Sequence, residues 1–379
     1  MIRFFNYIFA ALFIVLYQSA IHANNFAYLI VDGNSGRIME SHRADEIRPP
    51  ASLTKKMTLY LIFEALRNGK ITLQTRFHVS KLANSQEPSN LWVRVGETIS
   101  VENIIYALVT RSANDMSVVA AEGLSGSIEN FAILMNKKAQ ELGMTRTKFY
   151  NPTGLPNKKQ ITTARDMMTL ARALYNNFPN EFKYFKAKKF LYNGKPVLNH
   201  NKMLNSFSGA DGIKTGFTCA SRFNISVSAQ RIGIDGKPIR VFAVVLGGQT
   251  SFSRDKKAAE LMEKAFKKLN ATPRMQTVAA TLPVAREMPD EIDDLIVNEK
   301  TIENIGHSTE ASIIKTATAK QRKKTKKTKK PTPQKEVKTI QTSITKDPID
   351  EILSTSARVN ISDNLPAGWV KPKPLLKKS

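Results

Sequence analysis

The sequence predicts an α/β fold in which helices flank an antiparallel sheet, and three observations lead there. Strand-like alternation occurs near both ends of residues 26–270, apolar residues at helical spacing fill most of the interval between them, and beyond about residue 271 no period is sustained. A sheet assembled from the two ends of one chain follows from that order.

Phe26 to Asp32 and Arg37 to Ser41 flank Gly33-Asn34-Ser35-Gly36, which predicts an opening hairpin. Pro49-Pro50 stops the chain, and Ser52 opens a helix to about Arg67 with Leu53, Met57, Tyr60, Leu61 and Ala65 at helical spacing. Asn68-Gly69 ends it. A second helix follows Ser100, with Glu102 in its first turn and Ile104, Ile105, Leu108 and Val109 inside. A short helix is expected near Asp115 and a longer one over 128–142, stopped by Gly143. Residues 151–156 form a loop, and Thr163 with Asp166 caps a helix through Tyr175. Phe223 to Ala229 and Val241 to Leu246, joined around Asp235-Gly236, predict a second hairpin. The last helix runs from about Arg254 to Leu269, its stripe of Ala258, Leu261, Met262, Ala265, Phe266 and Leu269 opposed by lysines.

The net charge of +25 is unevenly spread. Residues 301–379 hold 17 Lys/Arg against 7 Asp/Glu, and eight of the eleven residues from Lys320 to Lys330 are basic. Residues 272–379 therefore read as a basic, low-complexity tail. It is either a solvated tail or an electrostatic contact for anionic envelope polymers. At the other end, Arg3, the apolar run from Phe4 to Tyr17, the small residues Ser19, Ala20 and Ala23, and Asn24-Asn25 have the layout of a secretory signal peptide over 1–23. An uncleaved anchor is the alternative, although the run is shorter than the ~20 residues of a span. Export to the periplasm or cell envelope is the expectation, and it argues against a nucleic-acid partner. Cys219 is the single cysteine, so no intrachain disulfide exists, and it reads as a small loop residue.

Three short segments carry chemistry. Ser52-Leu53-Thr54-Lys55 places a hydroxyl and an amine on one face of a first helical turn. A lysine activates a serine only when burial or a neighbouring cation lowers its pKa; the bland reading of Ser52 is a plain N-cap. Ser112-Ala113-Asn114 adds a second hydroxyl and an amide. Lys214-Thr215-Gly216 puts a cation at a strand edge, with Gly212 and Gly216 leaving room for the backbone of a ligand.

These segments, in this order, resemble the motifs of the penicilloyl-serine transferases. Residues 50–55, 151–155 and 211–216 narrow the likeness to the low-molecular-mass penicillin-binding proteins that act as D-alanyl-D-alanine carboxypeptidases, serine peptidase family S11. The resemblance covers about residues 26–270 and implies a catalytic domain over 24–271 with the penicillin-binding-protein/serine β-lactamase-like transpeptidase fold, a sheet-and-helix body plus a helical subdomain. It implies that Ser52 attacks the D-Ala-D-Ala carbonyl of a peptidoglycan stem pentapeptide, Lys55 takes its proton and Ser112 relays a proton to the departing D-alanine. It further implies that Asn114 holds the acyl side, that Lys214 keeps Lys55 neutral, and that the N–H groups of Ser52 and Phe217 form the oxyanion hole beside Gly216. Thr215 and Arg254 would grip the terminal carboxylate; the bland reading of Arg254 is a helix-start charge. No cofactor and no metal are implied, and β-lactams are expected as covalent inhibitors. Family members often add a β-rich second domain and a C-terminal amphipathic helix, for which 272–379 is too polar and 366–379 has no stripe. Leu365 to Val370 resembles the opening of a sporulation-related repeat, with nine residues left after it. The alternatives are a serine β-lactamase, for which no Glu-x-x-Leu-Asn lies between Asn114 and Lys214, and a non-catalytic cell-wall-binding protein.

Overall fold

The computed structural model describes residues 26–270. The expected leader and basic tail lie outside the described residues. In chain order the elements are β1 (Ala27–Asp32), β2 (Ile38–His42), a 3-10 turn (Ala51–Thr54), α1 (Lys55–Arg67), β3 (Arg76–His78), α2 (Lys81–Asn84) and β4 (Thr98–Ser100). There follow α3 (Val101–Val109), α4 (Asn114–Ser125), α5 (Ile128–Glu141), α6 (Ala164–Asn177), a second 3-10 turn (Glu181–Lys186), β5 (Lys189–Tyr192) and β6 (Lys195–Leu198). The last are α7 (Met203–Ser206), β7 (Ala210–Thr218), β8 (Arg222–Ile232), β9 (Pro238–Gly248) and α8 (Ser251–Lys268).

The main sheet has the order β2-β1-β9-β8-β7, antiparallel throughout, so among the described residues the first strand lies against the last. The sheet is thus built from both ends of the domain, as the alternation predicts, and β7 is left at the edge. Alternate side chains go to opposite faces. Leu29, Val31, Phe242, Val244 and Leu246 join the core shared with the interstrand helices, while Ile30, Ala243 and Val245 meet Ala258, Leu261, Met262 and Ala265 of α8. Burying each Leu, Met or Phe of that stripe stabilises the fold by about 1.5–3 kcal/mol, enough to hold α8 on the sheet despite its many lysines.

Helix starts follow their caps. Ser100, Ser127 and Thr163 each accept the backbone N–H three residues on. Thr250 and Ser253 form a reciprocal capping box. Four expectations need correction. Ser52 is not an N-cap: it lies inside the 3-10 turn, and the residues flanking that turn make no side-chain cap. The helix at Asp115 is twelve residues long, beginning at Asn114. The last helix starts at Ser251, placing Arg254 inside its first turn and 3% exposed. Gly212 makes room for the core rather than for a ligand, because a Cβ there would fall 2.6 Å from Cβ of Phe185. The β5–β6 hairpin was not anticipated; it turns at Asn193-Gly194, both with positive φ.

Candidate active site

The site forms where the 3-10 turn, the N-terminus of α4, the 151–154 loop and edge strand β7 meet. Strand β7 is fixed at its start by Asp211, whose carboxylate accepts from Ser228 Oγ at 2.5 Å and pairs with the buried Arg240 guanidinium at 2.8 Å. Farther along, Gly216 lies against the nucleophile turn: a Cβ on it would be 2.9 Å from the Ser52 nitrogen. Gly154, at φ +85°, presses on the same turn, where a Cβ would be 2.0 Å from the Ala51 oxygen. Backbone from two distant segments therefore clamps residues 51–53, and only glycine permits that approach.

Lys55 begins α1 and has no exposed surface. Its Nζ lies 2.6 Å from Asn114 Oδ1, 2.6 Å from the Thr153 carbonyl oxygen and 3.1 Å from Ser52 Oγ. Burial first, and then the charge of Lys214, hold this amine well below its ordinary range, while Asp115 works in the opposite direction. A neutral amine has two N–H bonds. In its neutral form the amine can give both to Asn114 and Thr153 and turn its lone pair to the Ser52 hydroxyl 3.1 Å away. Serine and lysine three residues apart are common; a fully buried lysine held beside that serine by two further oxygens is not.

The Thr153 carbonyl is aimed by an Asx turn. Asn151 Oδ1 accepts from Gly154 N at 2.8 Å, from Thr153 Oγ1 at 2.9 Å and from Thr153 N at 3.2 Å. Asn114 Oδ1 accepts from Lys55 Nζ at 2.6 Å and its Nδ2 donates to the Glu87 carbonyl at 2.7 Å, so the side chain also positions the lysine. Ser112 sits at φ +61°, and its Oγ is buried with no hydrogen-bond partner among the described residues. A strained backbone and an unsatisfied hydroxyl at one residue mark a group held for a reacting molecule.

Lys214 is 1% exposed, and its Nζ donates to the Thr215 carbonyl at 3.0 Å. Burial, then the nearby Arg254 charge, bring its pKa down to about 7. Arg254 is itself buried, donating to the Asn224 carbonyl at 3.3 Å and pairing with Asp255 at 2.9 Å. Thr215 is nearly buried on the same edge strand, and the Phe217 ring lies 4.3 Å from that of Phe223. Hydrogen bonds and close backbone contacts thus join the Ser52–Lys55 turn to Asn114, Thr153 and Gly216, while Lys214 acts on Lys55, and Arg254 on Lys214, through charge.

Two groups there carried no sequence signal. Asp115, buried beside Asn114, accepts N–H groups from Leu91, Trp92 and Met116, and burial raises its pKa against those bonds and Lys55. It moors the 86–95 loop to the site and supplies a countercharge to Lys55. His200 donates its backbone N–H to the Thr110 carbonyl at 3.1 Å. Burial and the charges of Lys214, Arg111, Lys55 and Arg254 push its imidazole down to about 3. Arg111 and Arg254, together with Lys214, set positive charge around this neutral ring, which favours an anion nearby. Lys56, next to the catalytic candidate, points elsewhere. Its buried Nζ donates to the Met167 carbonyl and to Ser226 Oγ, and burial alone lowers its pKa.

Known proteins resemble this chain in sequence and in fold. The sequence profile of the peptidase S11 family, described as D-alanyl-D-alanine carboxypeptidase, matches residues 15–250. The chain is 33% identical over 263 residues to the D-alanyl-D-alanine carboxypeptidase DacF of Bacillus subtilis, covering 66% of this chain and 65% of that protein. It therefore spans less than two thirds of that relative's length. The crystal structure of the D-alanyl-D-alanine carboxypeptidase DacD from Francisella tularensis superposes with a TM-score of 0.61 at 30% identity, over 63% of this chain and 70% of that one. Penicillin-binding protein D2 of Listeria monocytogenes, solved in its ampicillin-bound form, superposes with a TM-score of 0.55 at 28% identity, over 63% and 96%.

Proposed function

The chain belongs to the D-alanyl-D-alanine carboxypeptidase family, peptidase S11, and from that premise we propose that it is a serine-type, penicillin-binding D-Ala-D-Ala carboxypeptidase working through an acyl-enzyme on Ser52. The observation that supports this best is the placement of Lys55: its fully buried Nζ lies 3.1 Å from Ser52 Oγ and is held there by bonds to Asn114 Oδ1 and the Thr153 carbonyl, and burial lowers its pKa.

Ser52 Oγ attacks the carbonyl carbon between the two terminal D-alanines of a peptidoglycan stem pentapeptide, and its proton moves to Lys55 Nζ. The C–N bond breaks and the departing D-alanine amine takes up a proton, passed along Ser112 Oγ. Backbone N–H groups at Ser52 and Phe217 hold the oxyanion. Lys214, Thr215 and Arg254 attract the terminal carboxylate, the anion for which the cationic cleft is suited. Water then cleaves the Ser52 ester, giving the tetrapeptide and free enzyme. A β-lactam enters by the same attack and remains as a Ser52 ester. The leader-like residues 1–23 support action in the periplasm or cell envelope, with catalytic residues in 24–271 and the basic 272–379 available to anionic envelope polymers.

The test is incubation with a synthetic stem pentapeptide, following free D-alanine, and labelling with a fluorescent penicillin. D-Alanine release and a stable adduct are expected from the wild type, with both lost in Ser52→Ala. Release undiminished in Ser52→Ala refutes the nucleophile. Rapid multiple-turnover hydrolysis of the penicillin points to a β-lactamase instead.

A further inference from the structure

The β5–β6 hairpin presents an unusual outer face. Cross-strand partners in an antiparallel pair point to the same side, and that side alternates along the strand. Phe190 pairs with Val197, and both turn inward to the core, where the Phe190 ring stacks on Tyr106 with centroids 5.6 Å apart. Lys189 pairs with Leu198 and Leu191 with Pro196, so these four share the outward face. Leu191 is 68% exposed and Leu198 64% exposed, and the register makes them diagonal neighbours. Single exposed leucines are ordinary; two adjacent ones on a rigid two-stranded element are not.

The charge around them has one sign. Residues 181–202 hold six lysines and one glutamate. Lys186, Lys188, Lys189 and Lys195 are exposed, and none of the four forms an ion pair among the described residues. The base of the hairpin is firmly held: Asn199 N donates to the Lys188 carbonyl at 2.9 Å, Asn199 Nδ2 to the Ala187 carbonyl at 2.7 Å, and His200 N to the Thr110 carbonyl, two residues before Ser112. A rigid two-stranded element thus presents Leu191, Leu198 and Lys189 on one exposed face, with Lys186 and Lys188 at its base and Lys195 at its turn, and its base is joined to the segment that leads to Ser112.

We propose that this hairpin docks the protein on an anionic lipid surface, with Leu191 and Leu198 entering the headgroup–acyl boundary and the lysines resting on lipid phosphates. The charge selects this occupant. A second copy would set lysines against lysines, and the chain's own residues 301–379 are also strongly basic. An anionic glycan would satisfy the lysines, but it offers the leucines nothing to enter, and the outward face carries no aromatic ring for a sugar to stack on. No single described helix is long and apolar enough to cross a membrane. The docking contact is independent of the peptidase reading.

The experiment uses the full-length chain, flotation with vesicles of phosphatidylglycerol in phosphatidylethanolamine, and the double variant Leu191→Ser/Leu198→Ser. The tail contributes equally to both proteins. The wild type is expected to partition about ten-fold or more better, the order of effect from withdrawing two leucines from the boundary. Both should label equally with fluorescent penicillin, which checks folding. Lys186→Glu/Lys189→Glu should lose binding similarly and flatten its salt dependence. Leu191→Trp supplies a reporter whose emission should shift to the blue on these vesicles and stay unchanged on phosphatidylcholine. Equal partition of wild type and leucine variant with no shift from Leu191→Trp overturns the proposal. So does a variant that loses only binding to purified peptidoglycan, or only a tendency to dimerise.

Discussion

Replacing Lys214 by methionine should make the protein more stable and less active, and the pH dependence of the stability gain reveals why. The side chain is 1% exposed, and its pKa is lowered from 10.5 to about 7, first by burial and then by Arg254. A lysine depressed in the fold binds fewer protons than it does unfolded between those two values, so wild-type stability rises with pH from about 7 to about 10.5. Below about 7 both states are protonated and the full penalty applies. At about 1.4 kcal/mol per pH unit, that penalty is about 4 kcal/mol at pH 7 and falls to about 1 kcal/mol at pH 10. Methionine fills the same volume without the charge but forgoes the 3.0 Å bond to the Thr215 carbonyl, about 1 kcal/mol at every pH. Lys214→Met should therefore exceed the wild type by about 3 kcal/mol at pH 7 and match it near pH 10. Urea unfolding of both proteins at pH 7, 8.5 and 10, with penicillin acylation measured alongside, tests this. A stability difference that does not change with pH would show that the buried amine is not the titrating group. Unimpaired acylation in the variant would remove Lys214 from the chemistry.

Two further perturbations test the clamp and its mooring. Asp115→Asn exchanges an acceptor-only group for an amide facing the N–H groups of Leu91, Trp92 and Met116. A loss of about 1–3 kcal/mol in thermal or urea unfolding is expected. Because Asp115 is the charge that raises the Lys55 pKa, the acid limb of the acylation rate should also move to lower pH. Gly154→Ala forces a Cβ to within 2.0 Å of the Ala51 oxygen at a φ of +85°. The turn bearing Ser52 must shift, and the acylation rate should fall by about a hundred-fold or more, as 1 Å misplacements of reacting groups do. Stopped-flow trapping with a fluorescent penicillin measures this; near-wild-type acylation would show that the clamp does not set the nucleophile.

Local patterns were enough to disclose the frame of the domain. Alternation at 26–32 and 241–246 foretold strands that the fold joins edge to edge, and the stripe from Ala258 to Phe266 foretold the helix that covers one face of the sheet. Period and capping are properties of neighbouring residues, so sequence displays them directly. Ser52, Lys55, Ser112, Asn114 and Lys214 were nameable for a related reason, since each lies in a short motif. The β5–β6 hairpin was harder to see because Pro196 and the flanking lysines break the alternation on either side of Asn193-Gly194.

What the linear chain withheld is whatever depends on distance in space. Nothing near Lys55 in sequence says that its proton will be shed; that follows from complete burial and from a second lysine 159 positions later. The two oxygens that engage its N–H bonds lie 59 and 98 residues away, and one is a backbone carbonyl with no side-chain identity to recognise. Gly212 and Gly216 look alike in one strand, yet one yields to Phe185 and the other to Ser52, because only packing decides what each glycine faces. Composition and spacing named the reacting groups; burial and convergence, which exist only once the chain has folded, gave them their protonation states.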